Sequence, residues 1–322
     1  MTPSRCLVIH PGAVGDVLLA LPALAHLGRV LPGAARVVAA TPRPASLLAG
    51  SAYAEVTRDF DDLELHRLFM AEPDPRVLRA LAEYDAIVSW FGAGDPTYCA
   101  HLAGLGGRVV VARATPPPES GAHASRHLVK TLVAFGPLPD ALPPIRLVAE
   151  EAERAWAGAW LHARGVAAGQ AVVLHPGAGR PGKVWPGFAA LARRVAGRGS
   201  PVVLVAGPAD AAAAARLVAD GTVAETMIAR DLPLRRLAAL LEAARVFVGN
   251  DSGPSHLAAA LGCPTLVLFG PTDPAVWAPV GDRVTTLGGR GAGAETPWDG
   301  LTVERVETAL GAWLMPIRAL AG

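Results

Sequence analysis

The chain has 322 residues, 52% apolar and 18% charged, with a formal net charge of +1. That length suits two domains with a core each, and the composition is globular, not disordered. A near-neutral balance without basic runs excludes an electrostatic nucleic-acid footprint, and no apolar stretch of about 18 residues runs uninterrupted, which argues against a transmembrane helix.

The first element follows a lone arginine. Arg5–Ile9 is a short apolar strand with no small-residue cleavage site after it, so the start reads as a strand and not as a signal peptide. His10-Pro11-Gly12-Ala13-Val14-Gly15-Asp16 is a glycine-containing turn, and residues 17–31 carry leucines and alanines at helical spacing, with Pro22 as a kink or a break. G-x-x-G-D is not the G-x-G-x-x-G fingerprint of dinucleotide sites. Asp16 reads first as a helix-capping acid and second as a general base.

Residues 36–40 are a strand, 45–50 a short helix, and 59–64 an acidic, solvated loop. Pro75–Leu81 is helical, 86–90 and 108–112 are strands, and 91–96 is a strand-to-helix turn. Alternation of this kind predicts a parallel, doubly wound sheet. Prolines then cluster from 115 to 144 around a helical segment at 125–135. The inter-domain linker belongs at the end of that zone, near 138–150, and divides the chain into domains 1–145 and 146–322.

The second half opens with a helix at 150–164 and a strand at 171–174, followed by His175-Pro176-Gly177-Ala178. VLHPGA at 173–178 repeats VIHPGA at 8–13, so the chain is expected to hold two similar α/β domains that face each other. Residues 177–183 fit G-x-x-x-x-G-K, the phosphate loop of NTPases. Val184 stands where a magnesium-binding Ser or Thr is required, and Pro186 displaces the start of the next helix. Further elements follow at 188–196 (helix), Val202–Ala206 (strand), 207–210 (helix start), 232–244 (amphipathic helix) and 302–314, a closing helix that could return across the first domain.

Residues 246–279 organise the rest. An apolar run at 246–248 breaks at Gly249-Asn250-Asp251-Ser252-Gly253, a helix follows from Pro254, and Thr265–Phe269 is the next strand. A βαβ turn of this sort lies at the carboxyl ends of the strands, where open sheets bind ligands. The amides of the first helical turn have no internal partner and sit in positive potential, so a phosphate or diphosphate is the natural occupant. Ser252 and Ser255 can add hydroxyl donors. Asp251 would repel a phosphate, so it caps the helix or accepts from hydroxyls. Asn250 is the only Asn in the chain, and Lys130 and Lys183 are the only lysines. The three cysteines, Cys6, Cys99 and Cys263, form no metal spacing and no disulfide framework, which fits a reducing cytoplasm.

Three segments resemble glycosyltransferase family 9, the heptosyltransferase type: G-A-V-G-D with L-P-A-L at 12–24, H-P-G-A…K-x-W-P at 175–186, and N-D-S-G-P-S-H…G-P-T-D-P at 250–274. The resemblance implies a GT-B architecture, two Rossmann-like parallel-sheet domains facing across a cleft, the first acceptor-side and the second holding a nucleotide-sugar. It implies inverting, metal-independent transfer of a sugar, typically heptose from ADP-heptose, to a lipopolysaccharide-core or related glycan acceptor, without a cofactor. On the matching positions Asp16 is the base and Lys183 the leaving-group cation. Gly177, Ala178, Asp251, Ser252, Gly253, Pro254, Ser255 and His256 line the donor, and Gly12, Ala13 and Gly15 the acceptor side. A cytoplasmic enzyme working on a glycolipid would meet the inner membrane at its surface. Departures fall on the acceptor side: a short 178–183 loop, and WFGAGD at 90–95 where the family often carries an aspartate-leucine-glutamine-glycine segment. A P-loop-like NTPase and a non-catalytic nucleotide-sugar-binding protein are the alternatives from other classes.

Overall fold

The computed structural model describes residues 4–219, 221–289 and 296–314. The chain forms two compact units, Met1–Ile145 and Arg146–Gly322.

The first unit is a five-stranded parallel sheet. Its strands are β1 (Arg5–Ile9), β2 (Ala35–Ala40), β3 (Val56–Asp59), β4 (Ala86–Ser89) and β5 (Arg108–Val111), in the order β3-β2-β1-β4-β5. Leu7 pairs with Val37 on one side and Ile87 on the other. Because successive side chains alternate, Leu7 and Ile9 pack with Ala39, Leu68, Tyr98 and Leu102 into the core on one face. The long helical segment after β1 is two helices, Val14–Leu19 and Leu21–Val30, with Pro22 in the first turn of the second. Pro22 lacks the amide that a continuous helix would need there, so the chain breaks at Ala20 instead of kinking.

The second unit carries β6 (Val172–His175), β7 (Val202–Ala206), β8 (Ile228–Arg230), β9 (Val246–Asn250), β10 (Thr265–Phe269) and β11 (Val284–Gly288). Their order is β11-β10-β9-β6-β7-β8, again all parallel. The four inner strands are buried at every residue, as expected where helices cover both faces of a parallel sheet. That burial explains their mostly apolar runs. The closing helix, Val303–Leu314, buries Val306 and Leu310 in this unit's own core and packs on the helix Phe188–Gly197.

Numbered within each unit, the strand order is 3-2-1-4-5, extended by a sixth strand in the second. The chain leaves the central strand to one side and returns on the other, so the carboxyl ends of β1 and β4, and of β6 and β9, flank a topological switch point. Each His-Pro-Gly-Ala segment leaves its sheet there.

Candidate functional site

The second unit's switch point is built from the turns after β6, β9 and β10. β9 ends in Asn250, Asp251 follows, and Ser252 is the N-cap of the helix Gly253–Ala260. Lys183 arrives on a short 3-10 turn, Pro181–Lys183, in the loop after β6. Its Nζ lies 2.7 Å from Asp251 Oδ2, and the Thr272 hydroxyl donates to the same oxygen at 2.7 Å. His256 Nε2 stands 3.7 Å from Asp251 Oδ1. Burial alone would raise the Asp251 pKa; the nearby His256 imidazole, hydrogen bonds from Lys183 and Thr272, and the charge of Lys183 outweigh it and hold the carboxyl at about 2. Asp251 is therefore ionised at neutral pH, and it fixes the ammonium of Lys183 beside the start of a helix. Lys183 keeps 26% of its side chain exposed against 8% for Asp251, so the cation faces outward and the anion inward.

Asn250 holds the two loops together. Its side-chain oxygen accepts from the Trp185 amide at 3.0 Å, and its Nδ2 donates to the carbonyls of Gly177 (2.9 Å) and Pro176 (3.3 Å). Trp185 is buried, with its indole N–H donated to Leu301, so the lysine two residues earlier is anchored through it. The sole Asn of the chain thus braces the site from inside. Asn250→Ala strands a buried amide N–H and two carbonyls, and is expected to lower unfolding free energy by roughly 2–4 kcal/mol. Urea denaturation of the full chain checks this; an unchanged midpoint would show that the brace contributes nothing.

A second buried chain of polar groups runs beneath the same turn. His175, the last residue of β6, has Nε2 3.1 Å from Asp210 Oδ2 and Nδ1 3.3 Å from Ser252 Oγ. Asp210 also accepts from the Gly207 amide at 2.9 Å. A Cβ on Gly177 would lie 1.7 Å from Asp210 Oδ1, so only glycine lets the carboxylate reach the imidazole.

In the first unit the turn after β1 presents Asp16 to solvent, and Asp16 Oδ2 accepts from the Ala13 amide at 3.0 Å. Gly12 donates its amide to His10 Nδ1 at 3.2 Å, and a Cβ there would lie 2.6 Å from the imidazole. His10 is buried edge-on against Trp90 at 5.6 Å. Burial depresses its pKa from 6.5 to about 4, with the charge of Asp16 opposing the shift. The unfolded chain then takes up the proton first. Stability is full above about pH 6.5 and declines as pH falls towards 4, by about 3 kcal/mol in all. A His10→Gln variant should flatten that part of a melting-temperature profile; an unaltered slope would assign it to other groups.

Residues 138–296 match the family described as glycosyltransferase family 9 (heptosyltransferase). That segment, just under half of the chain, is similar to glycosyltransferase family 9.

The chain is 38% identical over 113 residues to lipopolysaccharide heptosyltransferase 3 of Escherichia coli, covering 34% of this chain and 33% of that protein. The chain thus spans about a third of the length of the curated relatives it matches. Among solved structures it resembles the glycosyl transferase family 9 protein of Veillonella parvula, with a TM-score of 0.79 at 18% identity, covering 96% of this chain and 97% of that one. It also resembles ADP-heptose lipopolysaccharide heptosyltransferase II of E. coli, with a TM-score of 0.72 at 22% identity, covering 96% and 98%. Those likenesses extend the shared fold, a GT-B pair of parallel-sheet units, over nearly the whole chain.

The residues expected at the site sort by where their atoms point. Lys183, Asp251, Ser252, Gly253 and Pro254 gather at one helix start, with Gly177 and Ala178 on the loop beside it. Ser255 is different: it is fully buried, its hydroxyl is donated to the Asn250 carbonyl and its amide to Ser252, so it braces the turn. His256 is buried behind Asp251. Asp251 does not cap the helix; that place belongs to Ser252. Gly12, Ala13, Gly15 and Asp16 share the turn and first helix after β1. The phosphate-loop alternative fails locally, because the next helix begins at Phe188 and not at Lys183. Sequence reasoning missed His175, Asp210 and Thr272 as partners. The repeated His-Pro-Gly-Ala segment was the one signal that could have flagged His175. Among the described residues, no group of three or more His, Cys, Asp or Glu has metal-holding geometry, and no helix is long and apolar enough to cross a membrane.

Proposed function

We propose that the chain is an inverting, metal-independent glycosyltransferase that moves heptose from ADP-heptose to a lipopolysaccharide-core or related glycan acceptor. The single observation that carries this reading is the Lys183–Asp251 pair at the start of the helix Gly253–Ala260. A departing nucleoside diphosphate gains negative charge as the glycosidic C–O bond breaks. An outward-facing ammonium beside the positive end of a helix is preorganised to receive it, which is the task a divalent metal performs in other transferases. The relatives named for ADP-heptose support the donor.

Asp16 is the base in this reading. Its carboxylate takes the proton of the acceptor hydroxyl while that oxygen bonds to the anomeric carbon, and the electrons of the breaking bond leave on the diphosphate. Attack opposite the leaving group inverts the anomeric centre. The first unit accordingly receives the acceptor and the second the donor, and a glycolipid acceptor would bring the protein to the inner membrane surface. Thermal-shift titration with ADP-, UDP- and GDP-sugars tests the donor assignment. ADP-heptose is expected to raise the melting temperature most, and Lys183→Met to abolish the shift. Equal shifts from all three, or an undiminished one in the variant, would defeat it.

A further inference from the structure

We infer that binding of the donor's diphosphate is coupled to uptake of one proton on His175, through the Asp210–His175–Ser252 chain. This rests on the donor-site reading above and adds a positioning role for two residues that touch no substrate. The argument is one of hydrogen-bond polarity. Asp210 is buried, accepts the Gly207 amide, and lies 3.1 Å from His175 Nε2. That carboxylate is held ionised: burial would raise its pKa, and the hydrogen bonds from His175 and the Gly207 amide lower it. It fixes the proton on Nε2. Nδ1 is left with a lone pair, 3.3 Å from Ser252 Oγ.

A hydroxyl has one proton to give. Ser252 can spend it on His175 Nδ1 or on the Asn250 carbonyl at 3.2 Å, and that carbonyl already accepts the Ser255 hydroxyl. When a phosphate oxygen arrives at the helix start, it needs the Ser252 proton for itself. The imidazole lone pair would then face an oxygen lone pair across the same gap. A proton from solvent on Nδ1 removes the conflict: Nδ1–H donates to Oγ, Ser252 O–H donates to the phosphate, and the Asp210 carboxylate balances the new charge. The other titratable groups at this turn, Lys183, Asp251 and His256, already lie against one another, so His175 is the group with a vacant lone pair on the donor's side.

Isothermal titration of the full chain with ADP, in buffers of differing ionisation enthalpy at about pH 8, counts the protons directly. The expected result is uptake of about one proton per ADP, with affinity falling about tenfold per pH unit over that range. His175→Gln should bind ADP with no uptake. Ser252→Ala, which keeps the imidazole but removes the hydroxyl that requires its protonation, should also lose the uptake while folding normally. Uptake near zero in the wild type, or undiminished in Ser252→Ala, overturns the coupling while leaving the donor site intact. Failure of ADP to bind at all would remove the donor-site reading and the coupling together.

Discussion

Asp16→Asn is expected to reduce sugar transfer by about 10²–10⁴-fold while leaving ADP binding unchanged, the loss usual for removing a positioned general base. The substitution isolates the chemistry well. Asparagine keeps an oxygen for the Ala13 amide, so the single capping bond recorded for Asp16 survives. The residue is exposed, so no buried charge is created or lost. Steady-state rates with a saturating donor, read beside the dissociation constant for ADP, check the split. Full turnover in this variant would remove Asp16 as the base.

Lys183→Met is expected to cost about 10²–10³-fold in transfer, the range for deleting one preorganised donor to a developing anion. Here a second effect must be separated out. Asp251 is 8% exposed and loses its counter-charge, and breaking a buried pair on one side costs roughly 3–5 kcal/mol of stability. The double variant Lys183→Met with Asp251→Asn resolves the two effects. The neutral side-chain amide it introduces can still accept from Thr272, so stability should recover towards the wild type while transfer stays low. If transfer recovered with stability, the lysine would be a structural ion-pair partner and nothing more.

The fold was legible where burial is uniform. β6, β7, β9 and β10 are covered on both faces, so their sequences are short, mostly apolar and β-branched-rich runs. The strands that escaped notice are β3, β8 and β11, which sit at or next to sheet margins. β3 reads Val-Thr-Arg-Asp with alternating exposure, and four such residues carry too little pattern to separate from a loop. At the site, residue type and a helix start pointed to Ser252 and Gly253, while Lys183 came from the resemblance alone. Contacts from distant turns were not readable: Thr272 is 21 residues from Asp251, and Asp210 is 35 from His175. The bond from the Ser255 hydroxyl to the Asn250 carbonyl was hidden for a related reason. A serine in a first helical turn can face a ligand or the sheet, and only packing against β9 decides which.

The central claim is that this chain passes a sugar from ADP-heptose to an acceptor hydroxyl with inversion, the lysine and helix start replacing a metal. Proton NMR of the product formed from ADP-heptose and a heptose-deficient lipopolysaccharide core, with EDTA present throughout, tests it most directly. The account predicts a glycosylated core whose new linkage has the anomeric configuration opposite to the donor's, formed at the rate seen without chelator. A product of retained configuration, or activity abolished by EDTA and restored by a divalent cation, would contradict it.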